Sequence, residues 1–164
     1  MEDKEKITKL LEKAKDSNLL DLSSDEDLAI AIMNLIAIEE HLFFTSQKTG
    51  KKSYLNLLNE VRLMRAELLK RIIKDYEGEV WCISKHLLAA SMRVMEVGTK
   101  ELKKGNKDEA WKLFEKSYKL YSLFWGINLK VIDIPDTKFT EQKEKSVFDK
   151  FTNIVKKALD CCRE

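Results

Sequence analysis

A single proline and five glycines leave this chain with little of the punctuation that turn-rich β-sandwiches and barrels need. That scarcity favours long uninterrupted helices. Three cysteines are too few for a disulfide framework. Cys161 and Cys162 are adjacent and would be strained as a pair, so reduced thiols are expected. Long hydrophobic runs are scarce too. The most apolar stretch, residues 28–38, has about half the length of a membrane span and contains Asn34. The opening MEDKEKITKL lacks the apolar core of a signal peptide. A cytoplasmic protein without membrane association is the expectation. Neither sign of charge dominates: 30 basic and 28 acidic side chains leave a net charge of +2, which by itself selects no partner.

Catalytic signatures are missing as well. No P-loop pattern, glycine-rich dinucleotide turn or G-x-S-x-G elbow occurs. There is no Glu-x-x-His, which excludes the di-iron carboxylate bundles. Neither His41 nor His86 has an arginine at the upstream spacing used by the ribonuclease-type HEPN bundles.

What is present is helical periodicity. A hydrophobic content of 44% beside 35% charged residues marks a globular chain of one domain, residues 1–164. Residues 3–15 carry Ile7, Leu10, Leu11 and Ala14 on one face. Residues 23–46 form the most apolar helix, with Ser23 and Glu26 at capping-box spacing and Asp25, Glu26 and Asp27 suited to the positive end of the dipole. A turn at Gly50 leads into a helix over 54–74, predicted to bury Leu57, Val61, Met64, Leu68 and Ile72. The helix over 80–104 presents Val80, Ile83, Leu87, Ala90, Val94 and Val97, with small residues at 89–91 that allow a close approach. Gly105 and Asn106, with Glu109 three residues on, predict a C-cap followed by an N-cap. The helix over 107–129 is aromatic, and its Trp111, Phe114, Tyr118, Tyr121, Phe124 and Trp125 are assigned to the core. A linker over 131–139 holds Pro135, and residues 140–164 carry Val147, Phe148, Phe151, Ile154, Val155 and Ala158 at helical spacing.

These segments predict an all-α fold. The expected architecture is an antiparallel up-down four-helix bundle over 23–130, with a short extra N-terminal helix and a C-terminal amphipathic helix. Charge distribution agrees. Residues 23–46 carry five acids and no lysine or arginine, whereas residues 47–74 carry eight bases against Glu60 and Glu67. An antiparallel hairpin sets acid against base. Residues 105–121, GNKDEAWKLFEKSYKLY, resemble the first helix of a tetratricopeptide repeat, and the preceding VGTKELKK resembles the helix before it. The resemblance covers about one hairpin and has no second copy at the family's period. It implies antiparallel helix packing and no function.

Two sets of residues have chemistry in them. Cys82 and His86 stand at i and i+4 on one helix face, a spacing that suits two zinc ligands, with His41 as a third. Register arithmetic opposes the trio, because hairpin turns near residues 50 and 76 leave the histidines about two helical turns, roughly 10 Å, apart. The same arithmetic assembles a polar layer: Glu39, Glu40 and His41 level with Glu60 and Arg62, and these with Arg93 and Glu96. Glu39 or Glu40 with Arg62, and Glu60 with Arg93, would make an ion-pair network that fixes register at little net stability. Alternatively the layer holds a small anionic or polar ligand, with His41 positioned for proton transfer.

The expected function is that of a non-enzymatic protein-interaction or self-associating module, with a protein partner or a homo-oligomer. The first alternative is a small-molecule or metal-binding bundle built on Glu39, Glu40, His41, Glu60, Arg62, Arg93 and Glu96, zinc being the one cofactor weighed. The second is nucleic-acid binding through the basic helix 48–74, which lacks an aromatic-interleaved basic face.

Overall fold

The computed structural model describes residues 22–74 and 78–132, together with Glu5, Thr8, Lys9 and Glu12. The expected C-terminal helix lies outside the described residues, as does the expected N-terminal helix apart from those four positions. Residues 133–139 of the expected linker are outside them as well. Among the described residues the fold is all-α, with four helices and no strand: α1 (Ser23–Thr49), α2 (Ser53–Ile72), α3 (Glu79–Lys103) and α4 (Lys107–Asn128).

The helix ends depart from the expected caps. Leu22 occupies the N-cap of α1 and Ser23 is already helical, so no side-chain cap forms there. Asp25 and Glu26 still sit in the first turn, where the dipole favours them. Gly50 closes α1 in the left-handed region at φ 65°, the conformation for which glycine carries no penalty. Asn106 does hold the N-cap position of α4, yet its side chain makes no cap bond. It donates instead to Glu101 Oε2 at 2.7 Å, while Lys104 Nζ donates to Oε1 at 2.6 Å. A carboxylate from the helix before the turn thus ties the turn together. The hydrogen bond from Asn106, then that from Lys104, holds the Glu101 carboxyl below its usual range.

Two hairpins follow from the short turns. α1 packs along α2 and α3 along α4, while α1 meets α3 over a shorter stretch. In the second hairpin Ser84 meets Asn128, Ser91 meets Ser117 and Gly98 faces Phe114. The partner numbers fall as those of α3 rise, so the pair is antiparallel. Small residues at 84, 91 and 98 recur every second turn, and this is where the helices come closest. A methyl group on Gly98 would lie 2.6 Å from Phe114 Cε1, well inside contact distance. Ser91 Oγ donates to the Ser117 carbonyl at 2.9 Å and Ser117 Oγ returns a bond to the Ser91 carbonyl at 2.8 Å. The buried hydroxyls at this crossing therefore satisfy one another.

The core draws on every helix: Ala29 and Ile32 from α1, Leu69 and Ile72 from α2, Trp81 and Leu88 from α3, and Phe124 from α4. Its composition corrects the predicted stripes. α3 buries Trp81, Ser84, Leu88, Ser91 and Gly98, each one position after a residue of the expected stripe. α2 buries Arg65, Leu69 and Ile72, while Leu57 and Met64 remain 54% and 49% exposed. One position is about 100° of helix rotation, and most of the buried face of α3, with Arg65 and Leu69 of α2, is turned by that amount from the most hydrophobic choice, while Ile72 is buried as predicted. The aromatic run of α4 is corrected as well: Phe124 is fully buried, but Trp111 is 65% and Tyr118 72% exposed.

Candidate functional site

Glu39 comes from the second half of α1, where the helix leaves its apolar run, and it faces α2. Arg65 Nε donates to Glu39 Oε1 at 2.8 Å and Arg65 Nη2 to Oε2 at 3.4 Å, a two-pronged pairing of guanidinium and carboxylate. Arg62 reaches the same carboxylate at 4.0 Å. Arg65 is 1% exposed, and a guanidinium so buried is stable only with its charge matched and its donors used. One residue on, Glu40 pairs with Arg93 of α3, both side chains being about half exposed. α1 is thereby tied to α2 and to α3, each through one of two adjacent carboxylates.

The residues of the expected polar layer are thus distributed unevenly. Glu39, Glu40, Arg62 and Arg93 take part in these pairs. The partner of Arg93 is Glu40, where Glu60 was expected. His41 and Glu60 are exposed and Glu96 is half-buried. Arg65, the deepest charged group of the layer, is absent from the expected set. Its signal was in the spacing, since Leu58, Arg65, Leu69 and Ile72 share one face of α2. The more hydrophobic stripe of Leu57, Val61, Met64 and Leu68 runs along another face of the same helix. Cys82 is buried in the core and His86 is exposed. Among the described residues, no group of three or more His, Cys, Asp or Glu side chains is placed to hold a metal ion.

A cleft of about 370 Å³ lies elsewhere, where α1 crosses the α3–α4 hairpin. Ile30 and Met33 form its α1 wall, Met95 the α3 wall, and Phe114, Tyr118 and Tyr121 the α4 wall. The Ser91 and Ser117 pair lies along it, and Glu26 is the one charged residue among the described residues of its lining. Tyr121 stacks with Phe124 at 6.4 Å between ring centroids and meets Trp125 edge-on at 6.1 Å. Its hydroxyl is sealed from solvent and has no hydrogen-bond partner. Burial pushes the phenol above its ordinary range. The Trp125 side chain beside the phenol opposes this, and the nearby Glu26 carboxylate adds to it.

α1 has one further property. It is long and apolar enough to cross a membrane, by length and composition, with an 18-residue window of mean hydropathy 1.5 of which 11% is buried. The core helix of a soluble protein also has this length and composition but is mostly buried, which this window is not. Glu39 and Glu40, paired to Arg65 and Arg93, bind α1 to two helices that are far more polar. Compared with protein families, with curated proteins and with solved structures, the chain matches none.

Proposed function

We propose that this protein is a non-enzymatic helical module that self-associates. In this reading the apolar seam of α2 receives the amphipathic stretch 140–164 of a second copy. The observation that carries it is the state of that seam. Leu57, Val61, Met64 and Leu68 recur at alternating spacings of four and three, the pattern of a coiled-coil face. Leu57 and Met64 are about half exposed, and Val61 and Leu68 are half-buried. Glu60 and Glu67 flank the seam, seven residues apart and exposed. The sequence of 140–164 has the complementary pattern. Val147, Phe151, Ile154 and Ala158 repeat the same spacing, and Lys143, Lys150 and Lys157 flank them at intervals of seven. Lysines beside one stripe and glutamates beside the other favour this pairing over either segment with itself.

The finer architecture belongs to the same proposal: an up-down four-helix bundle over 23–130, flanked by terminal amphipathic helices, in a cytoplasmic protein. The polar layer offers less to a ligand, because its buried arginine is engaged by Glu39.

Sedimentation velocity of the full chain at two concentrations about a hundredfold apart tests the association, which mass action makes concentration-dependent. Glu60→Lys with Glu67→Lys is expected to weaken it about tenfold, and adding Lys150→Glu with Lys157→Glu to restore it. A sedimentation coefficient independent of concentration overturns the proposal. So does a charge reversal that lowers the melting temperature but leaves sedimentation unchanged, which would mean that the segment docks on its own chain. Flotation with phosphatidylcholine vesicles tests α1: the protein is expected to stay in the dense fraction.

A further inference from the structure

We propose that the cleft between α1 and the α3–α4 hairpin binds a hydrophobic organic cation, an ammonium group carried on an aromatic or branched aliphatic body. The lining excludes other ligand classes on simple grounds. Its volume of about 370 Å³ is within the range of small-molecule sites, and its walls are rings, methionines and isoleucine. A strongly polar ligand would lose its hydration for nothing in return.

An anion would face the Glu26 carboxylate, the one charged group among the described residues of the lining. A neutral hydrocarbon would fill the apolar volume but leave that carboxylate unmatched. An ammonium group is matched by Glu26, and the aromatic side chains of Phe114, Tyr118 and Tyr121 in the same lining suit a cation. The two serines at the crossing do not compete for the ligand, since each already bonds the other's carbonyl.

Isothermal titration of the full chain at neutral pH with 4-phenylbutylamine, 4-phenylbutyrate and butylbenzene compares one skeleton as cation, anion and neutral molecule. Saturable binding is expected for the amine and at least tenfold weaker binding for the other two. Glu26→Gln is expected to weaken the amine about tenfold. Equal binding of amine and carboxylate, or Glu26→Gln without effect on the amine, overturns the proposal. So does the absence of saturable binding by all three compounds, which would mean that another segment or a second copy occupies the cleft.

Discussion

Arg65 lies fully inside the described structure with its charge intact, and Glu39 is what permits it. Removing a guanidinium from water costs several kcal/mol, and the carboxylate returns about as much through a 2.8 Å bond from Nε and a longer 3.4 Å contact from Nη2. The pair therefore adds little net stability, while breaking it strands a charge. Glu39→Ala is expected to lower unfolding free energy by about 3–5 kcal/mol, and Glu39→Leu combined with Arg65→Met to lie within about 1 kcal/mol of the parent. Urea denaturation of the two variants checks this. Glu40→Ala is expected to cost under about 1 kcal/mol, because that carboxylate and Arg93 are both about half exposed. Much of this layer was legible in the chain. An antiparallel register around Gly50 brings residue 39 level with the early sixties, and Arg62 and Arg65 are both within one helical turn of that level. Depth was not legible, since charge patterns say which groups can meet and not which of them the other helices cover.

At the scale of elements, the existence and extent of the four helices follow from their periodicity, and their rotation does not. Val80, Ile83, Leu87 and Val94 make the more hydrophobic face of α3, but the helix turns Ser84, Ser91 and Gly98 toward α4. Close approach explains it. Small residues let two backbones come together, and the dispersion gained over the whole interface exceeds what a few larger side chains would add at greater separation. Hydrophobic periodicity alone does not register that gain, although the small residues at 89–91 did signal a close approach and Ser91 lies at the crossing. Turn chemistry was read correctly at Asn106, which holds the N-cap position, although its amide is drawn to Glu101. A consequence follows for acid stability. The folded-state pKa of Glu101 is lowered from 4.5, so its contribution is present above that value and is lost as pH falls through the folded pKa. Glu101→Gln is expected to be less stable than the parent near neutral pH, with the gap narrowing once pH drops below about 4.5. Melting temperatures of both proteins across the acid range measure it.

For the molecule as a whole, the two hairpins are unequal. α3 and α4 share the longest interface, closed by small residues and mutual serine bonds, and α1 touches α3 only over a short stretch. α2 leaves Leu55, Leu57, Leu63 and Met64 about half exposed, so much of its apolar surface gains nothing from the described fold. Elements with few buried contacts open at lower free energy than those inside the main core. Amide exchange at low protein concentration is therefore expected to be fastest in α2 and slowest in α3 and α4. Self-association through the α2 seam adds a second expectation that the fold alone does not. Protection of α2 should rise with protein concentration while that of α4 stays constant, because the seam is covered only when a second copy is bound. Hydrogen exchange read by mass spectrometry at two concentrations separates the cases. Protection of α2 that is already high and independent of concentration would mean that the seam is closed within one chain, and would reassign the stretch 140–164 from partner recognition to completion of the bundle.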